Sequence, residues 1–280
     1  MVSLRFGGVY YAARVWLNGV YLGDHEGYFS AFEFDVTDTV ITDGENELLV
    51  EVFSPEETEE NDRKTIGGVW AMWDGMAPHI NPGGIFKEVS LLLDREVRIR
   101  SVEAAADHTG RGVAHVDLYC RQKTRASLVG RVSPLGSEAS DVEFEREVQL
   151  EEGENRFDMG FHVPDVRVWS TWDRGEQPLY ELVMSCAGAE EWTRFSACTV
   201  ELRDWKVYLN GERIFLRGIN YLPSDAYPAR AAKERLHGDA TLVREAGMNA
   251  VRVHAHVADG AFYEACDELG LLVLQDFPLQ

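Results

Sequence analysis

The sequence predicts a multidomain chain of β plus α/β class, and three observations carry the prediction. Apolar positions recur with a period of two through most of the first 200 residues, the pattern of half-buried strands. Asn-Gly dipeptides at 18–19 and 210–211 interrupt two of these alternating runs, and Asn-Gly supplies the two positive φ angles of a tight hairpin. Beyond residue 230 helix-period segments alternate with short apolar runs, giving the order strand, helix, strand of a parallel α/β unit.

Taken in order, "VYYAARVWLNGVYLGDHEGYFSAFEFDVT" (9–37) reads as strands folded at Asn18-Gly19, and "GGIFKEVSLLL" (83–93) as a closing β-branched run. Between them lies a loop, 54–82, rich in acid, Gly, Pro and Trp. From Val97 the strands become shorter and more regularly spaced: "VRIRSVEAAAD", "GVAHVDLYCRQ", "SLVGRVSP", "DVEFEREVQLEEGENRFDMGFHV", "LYELVMSC" and "WTRFSACTVEL", the rhythm of a small sandwich. Trp169 and Trp172, in "VWSTWDRG", read as packing at its edge. "VYLNGERIFLRG" (207–218) repeats the hairpin signal. "RAAKERLHGDATLVREAG" then places Leu236, Leu242 and Val243 among charges and stops at Gly247, so it reads as a surface helix. "NAVRVHAH" is an apolar strand, Asp259 can cap the helix "GAFYEACDELG", and "LLVLQDF" is a third strand expected to be buried on both faces.

Composition narrows the partners. The 280 residues carry 48 acidic against 27 basic side chains, a formal charge of −21, which would repel nucleic-acid phosphates and anionic membrane surfaces. No apolar run approaches the roughly 18–20 residues of a membrane span. Neutral sugars remain open as partners. Only five basic residues are lysine (Lys64, Lys87, Lys123, Lys206, Lys233), which suggests a halophilic, high-salt cytoplasm that screens self-repulsion; an ordinary acidic protein is the alternative. Cys120, Cys186, Cys198 and Cys266 show no metal-ligand spacing and are expected as buried thiols. The first residues alternate like a strand and show no secretory leader, so a cytoplasmic location is expected.

Two β units followed by an α/β start, together with "VYLNGERIFLRGINYLPSDAYP" (207–228), "REAGMNAVRVHAH" (244–256) and "FYEACDELGLLVLQDFP" (262–278), resemble family 2 of the glycoside hydrolases. "GGIFKEVSLLL" resembles the closing strand of that family's sugar-binding domain, and "RGEQPLYEL" (174–182) the end region of its sandwich. The resemblance implies a sugar-binding jelly roll over 1–94 without its first strands, an immunoglobulin-like sandwich over 97–202, and the first three strands of a (β/α)8 TIM barrel over 204–280. It implies a parent enzyme that removes terminal β-linked sugars with retention and without a cofactor. "AMWDGMAP" (71–78) looks most like the β-mannosidase branch, with β-galactosidase, β-glucuronidase and exo-β-glucosaminidase as neighbours. The family's two catalytic glutamates come from later barrel strands. No catalytic residue is therefore assigned here, the chain is expected to be a fragment open at both ends, and alone it is expected to be inactive. Assembly into a homo-oligomer stays open.

Barrel active sites lie where the strands end, which singles out Asn220, Asp225, Arg252, His254, His256 and Asp276 as residues of one rim. By the resemblance, Trp73 would stack on a pyranose face and Asp74 would accept hydrogen bonds from ring hydroxyls. Arg252 matches the family arginine that keeps the nucleophilic glutamate ionised. Asp225 and Asp276 read as substrate contacts or loop anchors. His254 and His256, two apart on a strand, can reach one point, a geometry that also permits a metal, as in His-x-His amidohydrolases. That superfamily lacks β units of this kind ahead of its barrel, so no metal is assigned. His254 is read as lining the sugar pocket, and His256 as sitting behind it or ordering the loop "VADG". A non-catalytic carbohydrate-binding scaffold and a metal-dependent hydrolase are the competing readings.

Overall fold

The computed structural model describes residues 1–54, 66–70, 80–93, 96–137 and 139–278. The first β unit contains β1 (Val2–Phe6), β2 (Val9–Tyr10), β3 (Ala12–Leu17), β4 (Val20–Glu26), β5 (Phe32–Asp35), β6 (Leu48–Phe53), β7 (Gly84–Ile85) and β8 (Val89–Leu93). They form antiparallel sheets in the orders β5-β1-β8 and β4-β3-β6, with β2 paired to β7. Asn18 and Gly19, at φ of 51° and 80°, make the tight β3–β4 turn that the dipeptide announces. Alternation places Leu4, Phe6, Val15, Leu17 and Val36 in the core, while Leu49 and Phe53 stay exposed on the outer face of β6, and Leu91 and Leu93, paired with Leu4 and Val2, stay exposed on the edge strand β8.

The second unit is a sandwich of seven strands: β9 (Val97–Ala106), β10 (Arg111–Cys120), β11 (Thr124–Pro134), β12 (Val142–Leu150), β13 (Gly153–His162), β14 (Tyr180–Cys186) and β15 (Ala189–Phe195). One sheet runs β13-β10-β9 and the other β12-β11-β14-β15, all antiparallel. Val116, Leu118, Leu128, Leu150, Leu182 and Met184 are wholly buried between them. All four cysteines are free thiols, three of them buried.

A small antiparallel sheet, β16 (Val200–Arg203), β17 (Lys206–Leu209) and β18 (Glu212–Ile214), leads into the α/β part. There β19 (Gly218–Tyr221), α1 (Lys233–Glu245), β20 (Ala250–Val253), α2 (Gly260–Leu269) and β21 (Leu272–Gln275) build a parallel sheet in the order β19-β20-β21. Asp259 caps α2 as expected, its side chain accepting from the Ala261 amide at 3.1 Å. Helix α1 buries Leu236 and Ala240, whereas Leu242 is 64% exposed, because only a narrow stripe of this helix meets α2 and the sheet. Val251 and Val253 are fully buried beneath the helices. The opposite sheet face is not covered: Leu274, which shares that face with Arg252, is 44% exposed, so the expectation of strands buried on both faces does not hold among the described residues.

Three carboxylates crowd the end of α2. Partial burial of the Asp267 carboxylate, reinforced by Glu264 and Glu268, pushes its pKa up to about 6. A carboxyl whose folded pKa is raised stabilises the fold below its unfolded pKa, and that contribution is lost as pH rises through the folded value. Asp267→Asn is therefore expected to abolish a decline in stability between about pH 4 and pH 6. The residue keeps solvent contact, so screening limits the effect to about 1 kcal/mol or less; chemical denaturation at both pH values measures it.

Candidate active site at the strand ends

Strand register explains which side chains meet. Asn220, Arg252 and Leu274 are paired across β19, β20 and β21 and therefore share one face. The ladder runs on beyond the strand ends, since the His254 amide donates to the Tyr221 carbonyl and the Asp276 amide to the Val253 carbonyl, each at 3.0 Å. His254 and Asp276, each two residues past a member of that row, emerge on the same face. Tyr221 and Val253 point the other way, into the helix-side core.

The result is a polar cluster on the open face. The Arg252 guanidinium is ion-paired with Asp276 and donates to Asn220 Oδ1 at 3.4 Å. His254 Nδ1 lies 3.2 Å from Asp276 Oδ2, so with Asp276 ionised that nitrogen carries the proton. Each side chain keeps solvent access, 43% for Arg252, 36% for Asp276 and 25% for His254. Chemically this is a donor-rich surface, built on strands, that can bind hydroxyls or hold a further carboxylate beside the guanidinium.

Two of the expected rim residues lie elsewhere. Asp225 is tied into the β19–α1 loop, accepting from the Tyr227 amide at 2.9 Å and from Arg235 at 3.3 Å, as a loop anchor does. His256 is 2% exposed and does not converge with His254. The strand ends at Val253, and Ala255 takes a left-handed φ of 47°, which turns the chain and ends the period-two alternation. His256 consequently packs against Trp70 and Tyr221, with ring centroids 6.3 and 5.9 Å away. The paired His-x-His geometry of a metal site does not form. Trp73 and Asp74 lie outside the described residues.

Contacts between the units brace the rim from behind. The Val69 amide donates to the Ala255 carbonyl at 3.0 Å, and Trp70 Nε1 to the Ala226 carbonyl at 2.8 Å. On the sandwich side Trp169 Nε1 donates to the Asp267 carbonyl and Trp172 Nε1 to the Met248 carbonyl, at 2.8 and 2.7 Å. Both tryptophans are thus structural, and neither presents a sugar platform. The anchoring roles of Val69 and Trp70 escaped sequence reading, since nothing local to "GGVW" distinguishes a packed anchor from an ordinary loop.

Two family models match. Residues 1–83 fit the glycosyl hydrolase 2 galactose-binding domain-like model, and residues 200–280 fit the glycosyl hydrolases family 2 TIM barrel domain. The chain belongs to glycoside hydrolase family 2. A β-galactosidase of Thermoanaerobacterium thermosulfurigenes is 25% identical, over 99% of this chain and 39% of its own length. A mannosylglycoprotein endo-β-mannosidase of Lilium longiflorum is 28% identical, over 99% of the chain and 33% of its own length. The crystal structure of a β-D-mannosidase from Dictyoglomus thermophilum superposes with a TM-score of 0.83 at 25% identity, over 99% of this chain and 38% of that one. The family 2 chain thus spans less than two-fifths of each of these proteins. Its matched barrel segment contains the whole Asn220, Arg252, His254 and Asp276 cluster.

Proposed function

We propose that this chain forms the substrate-facing wall of a retaining exo-β-glycosidase of the β-mannosidase-like branch, with the acid and nucleophile glutamates supplied by polypeptide outside these 280 residues. The observation that carries the reading is Arg252, held on the open sheet face by Asn220 and Asp276 with its guanidinium at the strand ends. A retaining mechanism needs two carboxyl groups about 5–5.5 Å apart. Among the described residues of the cluster the single carboxylate is Asp276, and it is engaged by Arg252 and His254. Arg252 keeps the incoming glutamate ionised, His254 and Asn220 donate to sugar hydroxyls, and Asp276 fixes both orientations. Trp73 and Asp74, three and four residues beyond the anchored Trp70, complete the sugar contact by stacking and hydroxyl acceptance.

The solvent-exposed apolar side chains support additional polypeptide: Phe215, Ile219 and Leu274 in the α/β part, and Leu49, Phe53, Leu91 and Leu93 in the first β unit, form surfaces that folded proteins cover. The jelly-roll, immunoglobulin-like and barrel boundaries at 94, 97–202 and 204, a cytoplasmic location and a salt-rich cell complete the same reading.

The 280-residue chain is expected not to hydrolyse nitrophenyl β-mannoside, β-galactoside, β-glucuronide or β-glucosaminide. In a polypeptide whose reading frame continues past Gln280, β-mannoside hydrolysis with retained anomeric configuration is expected. Arg252→Ala in that longer enzyme is expected to lower kcat by at least about 100-fold, the scale seen when one preorganised charge-stabilising donor is removed. Hydrolysis by the short chain, or an unaffected Arg252→Ala enzyme, would refute the assignment. Cleavage of internal linkages in preference to terminal ones would replace exo action with endo.

A further inference from the structure

Behind the rim, on the helix side of the sheet, a cavity of about 220 Å³ lies between the first β unit and the loops that follow β19 and β20. Tyr221 lines it and points away from the face that carries Asn220, so the cavity is separate from the Arg252 cluster. Tyr28, Phe29, Trp70, Phe86 and Tyr221 give it aromatic walls. Lys87 and Asp259, one from each unit and 3.6 Å apart, stand on its solvent side.

Two buried polar atoms in this lining, Ser224 Oγ and His256 Nε2, have no hydrogen-bond partner, and the second can only accept. His256 is 2% exposed, and its Nδ1 lies 2.9 Å from the His254 carbonyl, which can only accept, so Nδ1 carries the proton. Nε2 is then a bare acceptor, buried and without a hydrogen-bond partner. Burial holds the imidazole below its ordinary pKa, which keeps it neutral. A buried acceptor without a donor is costly, and a ligand hydroxyl removes that cost. Charge argues against an anion, since Asp225 and Asp259 share the lining with the Nε2 lone pair. Asp225 is already engaged by Arg235 and Asp259 by Lys87, so no uncompensated carboxylate calls for a cation. At roughly 30 Å³ per water the volume holds about seven waters, smaller than the roughly 300 Å³ at which drug-sized pockets begin.

We propose that this cavity is a second binding site, for a neutral polyhydroxy ligand the size of one sugar ring, with a ligand hydroxyl donating to His256 Nε2 and carbon-bound faces resting on the aromatic walls. The site is independent of the glycosidase reading, because it uses none of the Arg252 cluster.

The test follows the imidazole nitrogens of His256 by NMR in the full chain during separate titrations with D-mannose, D-galactose, glycerol and tetramethylammonium. Both sugars are expected to shift Nε2 saturably, and glycerol to need at least a tenfold higher concentration; glycerol acting at equal concentration would still support the polyol chemistry and name small polyols as the source. Ala229→Trp, at an exposed position on the lip, is expected to abolish the response without changing the circular dichroism spectrum. Arg252→Ala is expected to leave it intact. The proposal is overturned by an Nε2 resonance that no polyol moves, as for a site holding water alone, by a response to tetramethylammonium only, or by loss of the sugar response in a folded Arg252→Ala chain.

Discussion

Phe262→Ala is expected to destabilise the chain by about 3–5 kcal/mol, the range for truncating a buried aromatic side chain. Phe262 is fully buried on α2 and lies flat against Tyr221, with ring centroids 4.0 Å apart and planes within 4°. Its ring fills the layer between both helices and the parallel sheet, beside Leu236, Val251 and Val253. Removing it leaves a void that rigid strands cannot collapse into, and forfeits a stacking term of about 0.5–1.5 kcal/mol included in that total. Tyr221→Phe, by contrast, keeps the stack and loses only the bond from the phenol to Asp239 at 3.0 Å, a change of about 0.5–1.5 kcal/mol. Urea unfolding reads both. A lower midpoint at constant slope is expected for each, and a Phe262→Ala loss under about 1 kcal/mol would mean that this layer does not hold the α/β part together.

The same layer shows how far the sequence could be read. Period-two alternation, the Asn18-Gly19 turn and the Asp259 cap are local signals, and each is found where the residues place it, because local geometry alone determines it. The cluster of Asn220, Arg252, His254 and Asp276 was also legible, since it follows from strand register plus the rule that sites gather at strand ends. The divergence of His254 and His256 was not. It depends on a left-handed Ala255, and alanine carries no sequence mark of that conformation; the turn is imposed by tertiary contacts to Val69 and to the ring of Trp70. The exposure of Leu242 was not legible for a related reason, as a helical apolar position looks the same in sequence whether or not a neighbour covers it.

Gly68→Ala is expected to cost about 2–5 kcal/mol, from the left-handed backbone penalty of about 1–2 kcal/mol together with about 1–3 kcal/mol for overpacking. Gly68 has a φ of 56°, and a Cβ built there would lie 2.1 Å from the Ala255 carbonyl oxygen and 2.7 Å from Pro278 Cβ. The carbonyl cannot yield cheaply, since it accepts from the Val69 amide at 3.0 Å and belongs to the residue that turns His256 away from the rim. Relief of the clash must part the first β unit from the loop after β20. The resonances of His254 and His256 should therefore shift together with the loss of stability. Gly136→Ala is the control: φ is 65° there with nothing within 4 Å of the added carbon, so it bears the backbone penalty alone. Equal losses for the two variants, with unmoved histidine resonances, would show that the contact at Ala255 does not fix the rim.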